Sequence, residues 1–162
     1  MLISLNWLRD FVDFPADLDV RALAERFTVT TAEVEGVEQI NCDAIGLVAG
    51  QILDAQPIVG SEVLSAVRVS IGSREFDTVT AAERLKVGDM VIFAPPGAVL
   101  PGVGRISERM VSGRTSAGMI VAGDTLGLPT VGQRALWLPV TMAPGAPIDM
   151  SLFNDWVIEV DN

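Results

Sequence analysis

Hydrophobic periodicity changes its period once, near Ile45, and that change limits the possible folds more than any other feature. Before it, "DLDVRALAERF" repeats apolar residues at helical spacing. Asp17 or Asp19 is expected to cap that helix, with Leu18, Ala22, Leu23 and Phe27 as its buried stripe. After Ile45 the helical spacing disappears. Short β runs then alternate with glycine turns for about 105 residues. The runs are "GLVAGQILDAQPI", "EVLSAVRVSIG", "EFDTVTAA", "DMVIFAPPGAVLPG", "GRISERMVSGRTSAGMIVAG" and a short "ALWLPV". Gly72-Ser73 is a hairpin signal between the second and third. The fifth is expected to bend at Gly113. Five or six strands with turns every 8–12 residues predict a small closed barrel or sandwich. A five-stranded oligonucleotide-binding (OB) barrel fits the count.

The two ends differ from this middle. "LISLNWL" starts as a short strand. Asn6 is expected to cap a helix over "WLRDFVDF", with Trp7, Phe11 and Phe14 on one side and Pro15 ending it. "TAEVEGVEQI" and "DWVIEVDN" both alternate acidic and apolar residues, as strands with one wet face do. The last one stops without a turn or cap, so a truncated or excised chain is expected. Residues 1–40 and 151–162 are expected to form a partial α+β domain, and residues 41–150 the barrel. The fold class is therefore mainly β, a five-stranded OB barrel inserted in a small, incomplete α+β subdomain.

Charge follows the same division. The net charge is −10. Residues 1–40 hold eight acids and three arginines, and residues 151–162 three acids and no base. Residues 41–150 carry only −2. A strongly acidic chain is a poor general nucleic-acid binder, but a local basic face in the near-neutral middle is compatible with these numbers. Arg68, Arg105, Arg109, Arg114 and Arg134 all lie there. Strands two and three of a small barrel, with the adjoining loops, commonly face nucleic acid. Phe76 and Phe93 are the only aromatics near those strands, and Phe93 reads as core.

Catalytic and metal chemistry find little to work with. The chain has no histidine and one cysteine, Cys42, so the usual general base and thiolate or imidazole metal ligands are missing. Ser112, Thr115 and Ser116 have no base nearby in sequence. "GVG" at 102–104 lacks phosphate-loop spacing and reads as a turn. No basic leader and no apolar run of about 18 residues is present, so a cytoplasmic location away from membranes is expected. "GRTSAGMI" (113–120) combines glycines, hydroxyls and one cation. Its small residues admit close approach of a backbone, either a neighbouring strand's or a ligand's.

Taken together, the segments resemble one family. "ISLNWLRDFVDFP" and "AERFTVTTAEVEGVE" resemble the start of the bacterial phenylalanyl-tRNA synthetase beta subunit. "VTAAERLKVGDMV", "PPGAVLPG", "SAGM" then "LGL", and "WLP" with "APGAPI" resemble its tRNA-binding barrel, in order. The resemblance implies a heterotetramer with a synthetase alpha subunit that attaches phenylalanine to tRNA using ATP and magnesium. It places catalysis in the alpha subunit and editing further along the beta subunit. It implies a non-catalytic tRNA-binding part here, with no cofactor of its own. On that reading Arg68, Arg105, Arg109, Ser112, Arg114 and Ser116 are the candidates for RNA contact, while Gly113 and Gly118 serve the backbone and Met119 packs inward.

The chain also departs from the family. Where the family usually has histidine-proline-asparagine-alanine-aspartate, this chain has "IVGSEVL" (58–64). Where it often has cysteine-glycine-alanine-proline-asparagine, this chain has "TAAER" (80–84). An arginine-glycine pair is replaced by Ser112-Gly113, with Arg114 two places on. A structural or protein-interaction barrel with little RNA affinity is the alternative. Arginines gathered on one face favour RNA; arginines dispersed beside acids favour that alternative.

Overall fold

The computed structural model describes residues 1–128 and 134–161. They form two compact units, residues 1–41 with 151–161, and residues 42–128 with 134–150.

The first unit contains β1 (Leu2–Ser4), α1 (Leu5–Leu8), α2 (Val20–Thr30), β2 (Val34–Ile40) and the last strand of the chain (Asp155–Val160). That last strand lies between β1 and β2, antiparallel to both. Leu5, Val20, Ile158 and Val160 are its buried core. Asp19 caps α2, accepting from the N–H groups of Arg21 (3.0 Å) and Ala22 (3.1 Å). The helix thus starts at Val20, and the inward stripe falls on Val20, Leu23, Ala24 and Phe27 at i, i+3, i+4 and i+7. Ala22, expected in that stripe, is exposed.

The expected cap at Asn6 is also corrected. Ser4 caps α1, its Oγ accepting from Trp7 N–H at 3.0 Å while it donates to Asp155. Asn6 instead donates its side-chain amide to the Asn154 carbonyl. The helix ends at Leu8, and Trp7 and Phe11 stay exposed, rings edge to face at 5.2 Å.

The second unit is built on a five-stranded antiparallel sheet. Its strands are β3 (Val48–Pro57), β4 (Ser65–Ser70), β5 (Glu75–Thr80), β6 (Met90–Ala94) and β11 (Met119–Ile120), in the order β11-β6-β3-β4-β5. Between β6 and β11 lie β7 (Val99–Leu100) paired with β8 (Gly104–Arg105), and β9 (Arg109–Val111) paired with β10 (Arg114–Ser116). The first unit's last strand is then β12. A bulge between Ile52 and Asp54 lets β3 pair with β6 at one end and β4 at the other. Bulges bend and twist strands, which is what a closing sheet needs. Ile52, Val67, Val69, Phe76, Val91, Phe93 and Ile120 fill the interior. The result is the expected small OB-like barrel.

Two expected strands take another form. "GRISERMVSGRTSAGMIVAG" is not one bent strand. Ser112 (φ 49°) and Gly113 (φ 74°) both have positive φ, and Val111 pairs with Arg114 around them. That is a two-residue primed turn, so the chain reverses there instead of bending. "ALWLPV" makes only isolated bridges, Ala135 to Ala122 and Trp137 to Val91.

Candidate nucleic-acid interface

Strand alternation sends Val67, Val69, Phe76 and Thr78 inward. It sends Asp54, Gln56, Arg68, Glu75 and Asp77 to the outer face of β3, β4 and β5. The register sets Asp54, Arg68 and Asp77 side by side across the three strands. Arg68 grips Asp77 with a two-pronged contact, Nε to Oδ1 at 2.8 Å and Nη2 to Oδ2 at 3.3 Å. That hydrogen bond, and then the charge of Asp77, raise the Arg68 pKa. Both side chains are more than half exposed, so the pair adds little stability. It does occupy the cation. Phe76 is not available for stacking either. It is buried against Phe93, with ring centroids 5.5 Å apart, and the Arg74 guanidinium lies 5.0 Å above its ring.

The β9–β10 hairpin stands beside β5. Arg114 and Thr115 join Arg68, Asp54 and Asp77 around a cleft of about 380 Å³. Arg109 lies opposite Ser116 in the hairpin and lines a second cleft, of about 310 Å³, with Asp124 and Thr125. Arg109 and Arg114 are exposed, and among the described residues neither has an ion pair or side-chain hydrogen bond. Arg105 sits on the separate β7–β8 ribbon and donates to the Gly97 carbonyl at 3.1 Å. Ser112 is exposed at the hairpin turn. Ser116 differs from the rest: it is buried and hydrogen-bonded to Thr78 and Val79, a seam residue and not a surface one. The structure thus brings Arg68 and Arg114 to one cleft, puts Arg109 on the next, and leaves Arg105 elsewhere.

Sequence reasoning passed over Asp54, Asp77 and Asp124 as site residues. For Asp77 the signal was present. A hairpin loop over 71–74 pairs Ser70 with Glu75, and counting back from it sets Arg68 opposite Asp77.

No family model matches the chain. Individual proteins do. It is 39% identical over 163 residues to the phenylalanine–tRNA ligase beta subunit of Anaeromyxobacter dehalogenans, covering 99% of this chain and 20% of that protein. The beta subunit of Geobacter metallireducens is 32% identical, with the same coverage. That of Streptomyces avermitilis is 38% identical over 82% of this chain and 17% of that protein. The chain belongs to the phenylalanine–tRNA ligase beta subunit family. It spans about a fifth of the length of these relatives. Among solved structures, a MetRS-related protein from Pyrococcus horikoshii superposes with a TM-score of 0.48 at 19% identity, over 63% of this chain and 87% of that one.

Two segments far apart in sequence, within "IVGSEVL" and "TAAER", come together here. Ser61 to Leu64 and Ala81 to Arg84 face each other across a groove of about 840 Å³. Val63 and Leu64 on one wall, and Ala81 and Ala82 on the other, give it an apolar lining, with Glu62, Glu83 and Arg84 as its charged residues.

Proposed function

We propose that this chain is a tRNA-contacting barrel of a phenylalanine–tRNA ligase beta subunit, contributing no catalytic group of its own. The observation that carries this reading is the pair of unengaged arginines, Arg109 and Arg114, on one exposed hairpin. A guanidinium with no protein partner is ready to pair with a phosphate oxygen. Arg105 and Ser112 would add contacts at the margins. Arg68 would contribute only after leaving Asp77.

In the same reading the barrel works inside a complex with an alpha subunit, in the cytoplasm, and attachment of phenylalanine to tRNA takes place elsewhere in that complex. No described helix is long and apolar enough to cross a membrane. ATP and magnesium would serve that reaction. Among the described residues no three acidic or cysteine side chains come together as metal ligands.

Titration of purified chain with tRNA at low and moderate salt tests the proposal, with Arg114→Ala and Arg109→Ala alongside. Neutralising two or three phosphates gives a log–log salt slope of roughly −2 for a single-strand-like site, and each substitution reduces it by about 0.7. Affinity that ignores salt, or no binding at low salt, would overturn it.

A second reading is favoured by a different observation. Arg68 is held by Asp77 and flanked by Asp54, and the groove between residues 61–64 and 81–84 carries Glu62 and Glu83 beside Arg84. A barrel whose expected RNA face sets its cations beside acids suits contact with protein. Absence of tRNA binding in the same titration would select it.

A further inference from the structure

We propose, building on the RNA-contacting reading, that the cleft beside Arg109 takes one unstacked nucleobase and prefers bases with an exocyclic amino group. Three observations converge on it. Its volume of about 310 Å³ is at the small end of ligand sites, which suits a single ring system. Its walls include Val79, Val111, Met119 and Ile120, apolar surface against which the faces of a base can lie. Among the described residues its charged groups are the guanidinium of Arg109 and the carboxylate of Asp124, beside the hydroxyl residues Thr80, Ser116 and Thr125.

The carboxylate is held in place. Asp124 Oδ1 accepts from the Thr125 N–H at 2.8 Å and from the Thr125 hydroxyl at 3.4 Å. Among the described residues Oδ2 has no hydrogen-bond partner, and Asp124 and Arg109 do not pair with each other. A carboxylate accepts from the amino groups of cytosine, adenine or guanine. Uracil has no amino group, and its one base-edge donor, N3–H, lies between two carbonyl oxygens that a carboxylate repels. Arg109 can meanwhile offset the negative charge of the adjoining phosphate.

The hairpin links this cleft to the first one. Arg114 and Thr115 line one, Arg109 and Val111 the other, and Val79 lines both. A single strand crossing β5 could leave a phosphate on Arg114 and drop the next base beside Arg109. Such burial would stand in for stacking, because Phe76 is turned into the core.

The test uses the full chain and three nine-nucleotide single strands at low salt: oligocytidine, oligouridine and the bare ribose-phosphate backbone. Binding is read by fluorescence anisotropy. Oligocytidine should bind about tenfold more tightly than the abasic strand, the size of one well-held base contact. Oligouridine should fall between them. Asp124→Asn should remove the cytidine-over-uridine preference, and Ala82→Phe, at a residue that lines this cleft as well as the larger groove, should lower oligocytidine to the abasic level. The comparison of probes on the unaltered chain needs no variant, so poor folding of Ala82→Phe leaves the test intact. Equal affinity for all three strands overturns the base site and keeps the RNA-contacting reading. Failure of every strand to bind while tRNA still binds overturns the base site alone, and failure of tRNA as well overturns both.

Discussion

Thr78 and Ser116 stand 38 residues apart in sequence and meet inside the barrel, their hydroxyl oxygens 3.1 Å apart. Both are almost fully buried. Proton bookkeeping fixes the direction of each bond. Thr78 donates to the Gly118 carbonyl at 2.8 Å, so its oxygen accepts from Ser116. Ser116 in turn accepts from the Val79 N–H at 3.1 Å. With the Ala117 N–H donating to the Asp77 carbonyl at 2.8 Å, these bonds close β5 against the segment after the hairpin. The small polar residues of "GRTSAGMI" therefore admit a neighbouring strand.

Ser116→Ala strips Val79 of its acceptor and Thr78 of its donor. The expected cost is about 1–3 kcal/mol, read from urea denaturation. Thr78→Val should cost a similar amount by stranding the Gly118 carbonyl. The double variant should lose less than the sum, because the two residues share one network. RNA affinity that fell while stability held would show Ser116 to be a contact and not a seam.

Gly118 and Gly113 should respond differently to alanine. At Gly118 φ is +103°, and an added Cβ would overlap Phe93 Cζ and lie 3.0 Å from the Ala94 carbonyl oxygen. Phe93 is fully buried and cannot give way. Gly118→Ala should cost about 3 kcal/mol or more, combining strain with overpacking. At Gly113 φ is +74° and nothing lies within 4 Å of the added atom. Gly113→Ala should cost only about 1–2 kcal/mol. Thermal melts of the two variants under one set of conditions would settle the order.

What the sequence made legible was local. Asp19 before an apolar-periodic run announces a capped helix, and the turn at Gly72-Ser73 announces a hairpin, because both signals lie within a few residues of their effect. The hairpin at Ser112-Gly113 was hidden. Its first turn residue is a serine at positive φ, and few non-glycine residues adopt that conformation. With no visible reversal, "RMVSGRTS" reads as one strand, and nothing marks Ser116 as inward. The inward turn of Ser116 depends on Thr78, far away in sequence, and local patterning carries no trace of such a partner. The split of Arg109 and Arg114 between two clefts has the same origin.

Cys42 supplies a probe of the fold. Burial pushes its thiol pKa up; the Ala44 backbone hydrogen bond opposes this, and the charge of Asp43 adds to it. With the folded pKa raised, the unfolded chain ionises first as pH increases. Stability from this group is thus full below the ordinary thiol range, about 8.5, and is lost as pH rises through it towards the folded value. A disulfide reagent at pH 8 should label the native chain at least about tenfold more slowly than the denatured one, since thiolate is the reactive form. Equal rates would mean that Cys42 is not shielded.

Asp77→Asn isolates the question of what the barrel face is for. Arg68 now spends its fork on Asp77, in a cleft that also contains Asp54 and Arg114. Removing the carboxylate leaves that cleft with two arginines and one acid. Because the pair is exposed, stability should change by less than about 1 kcal/mol. RNA affinity should rise several-fold, and the salt slope should steepen by about 0.7 as Arg68 gains a phosphate. Titration of tRNA across a salt series, beside a denaturation curve, separates the two effects. A gain in affinity with a steeper slope means the ion pair holds back an RNA face. Unchanged binding means that RNA does not reach the outer face of β4 and β5, and its contacts are then confined to the hairpin.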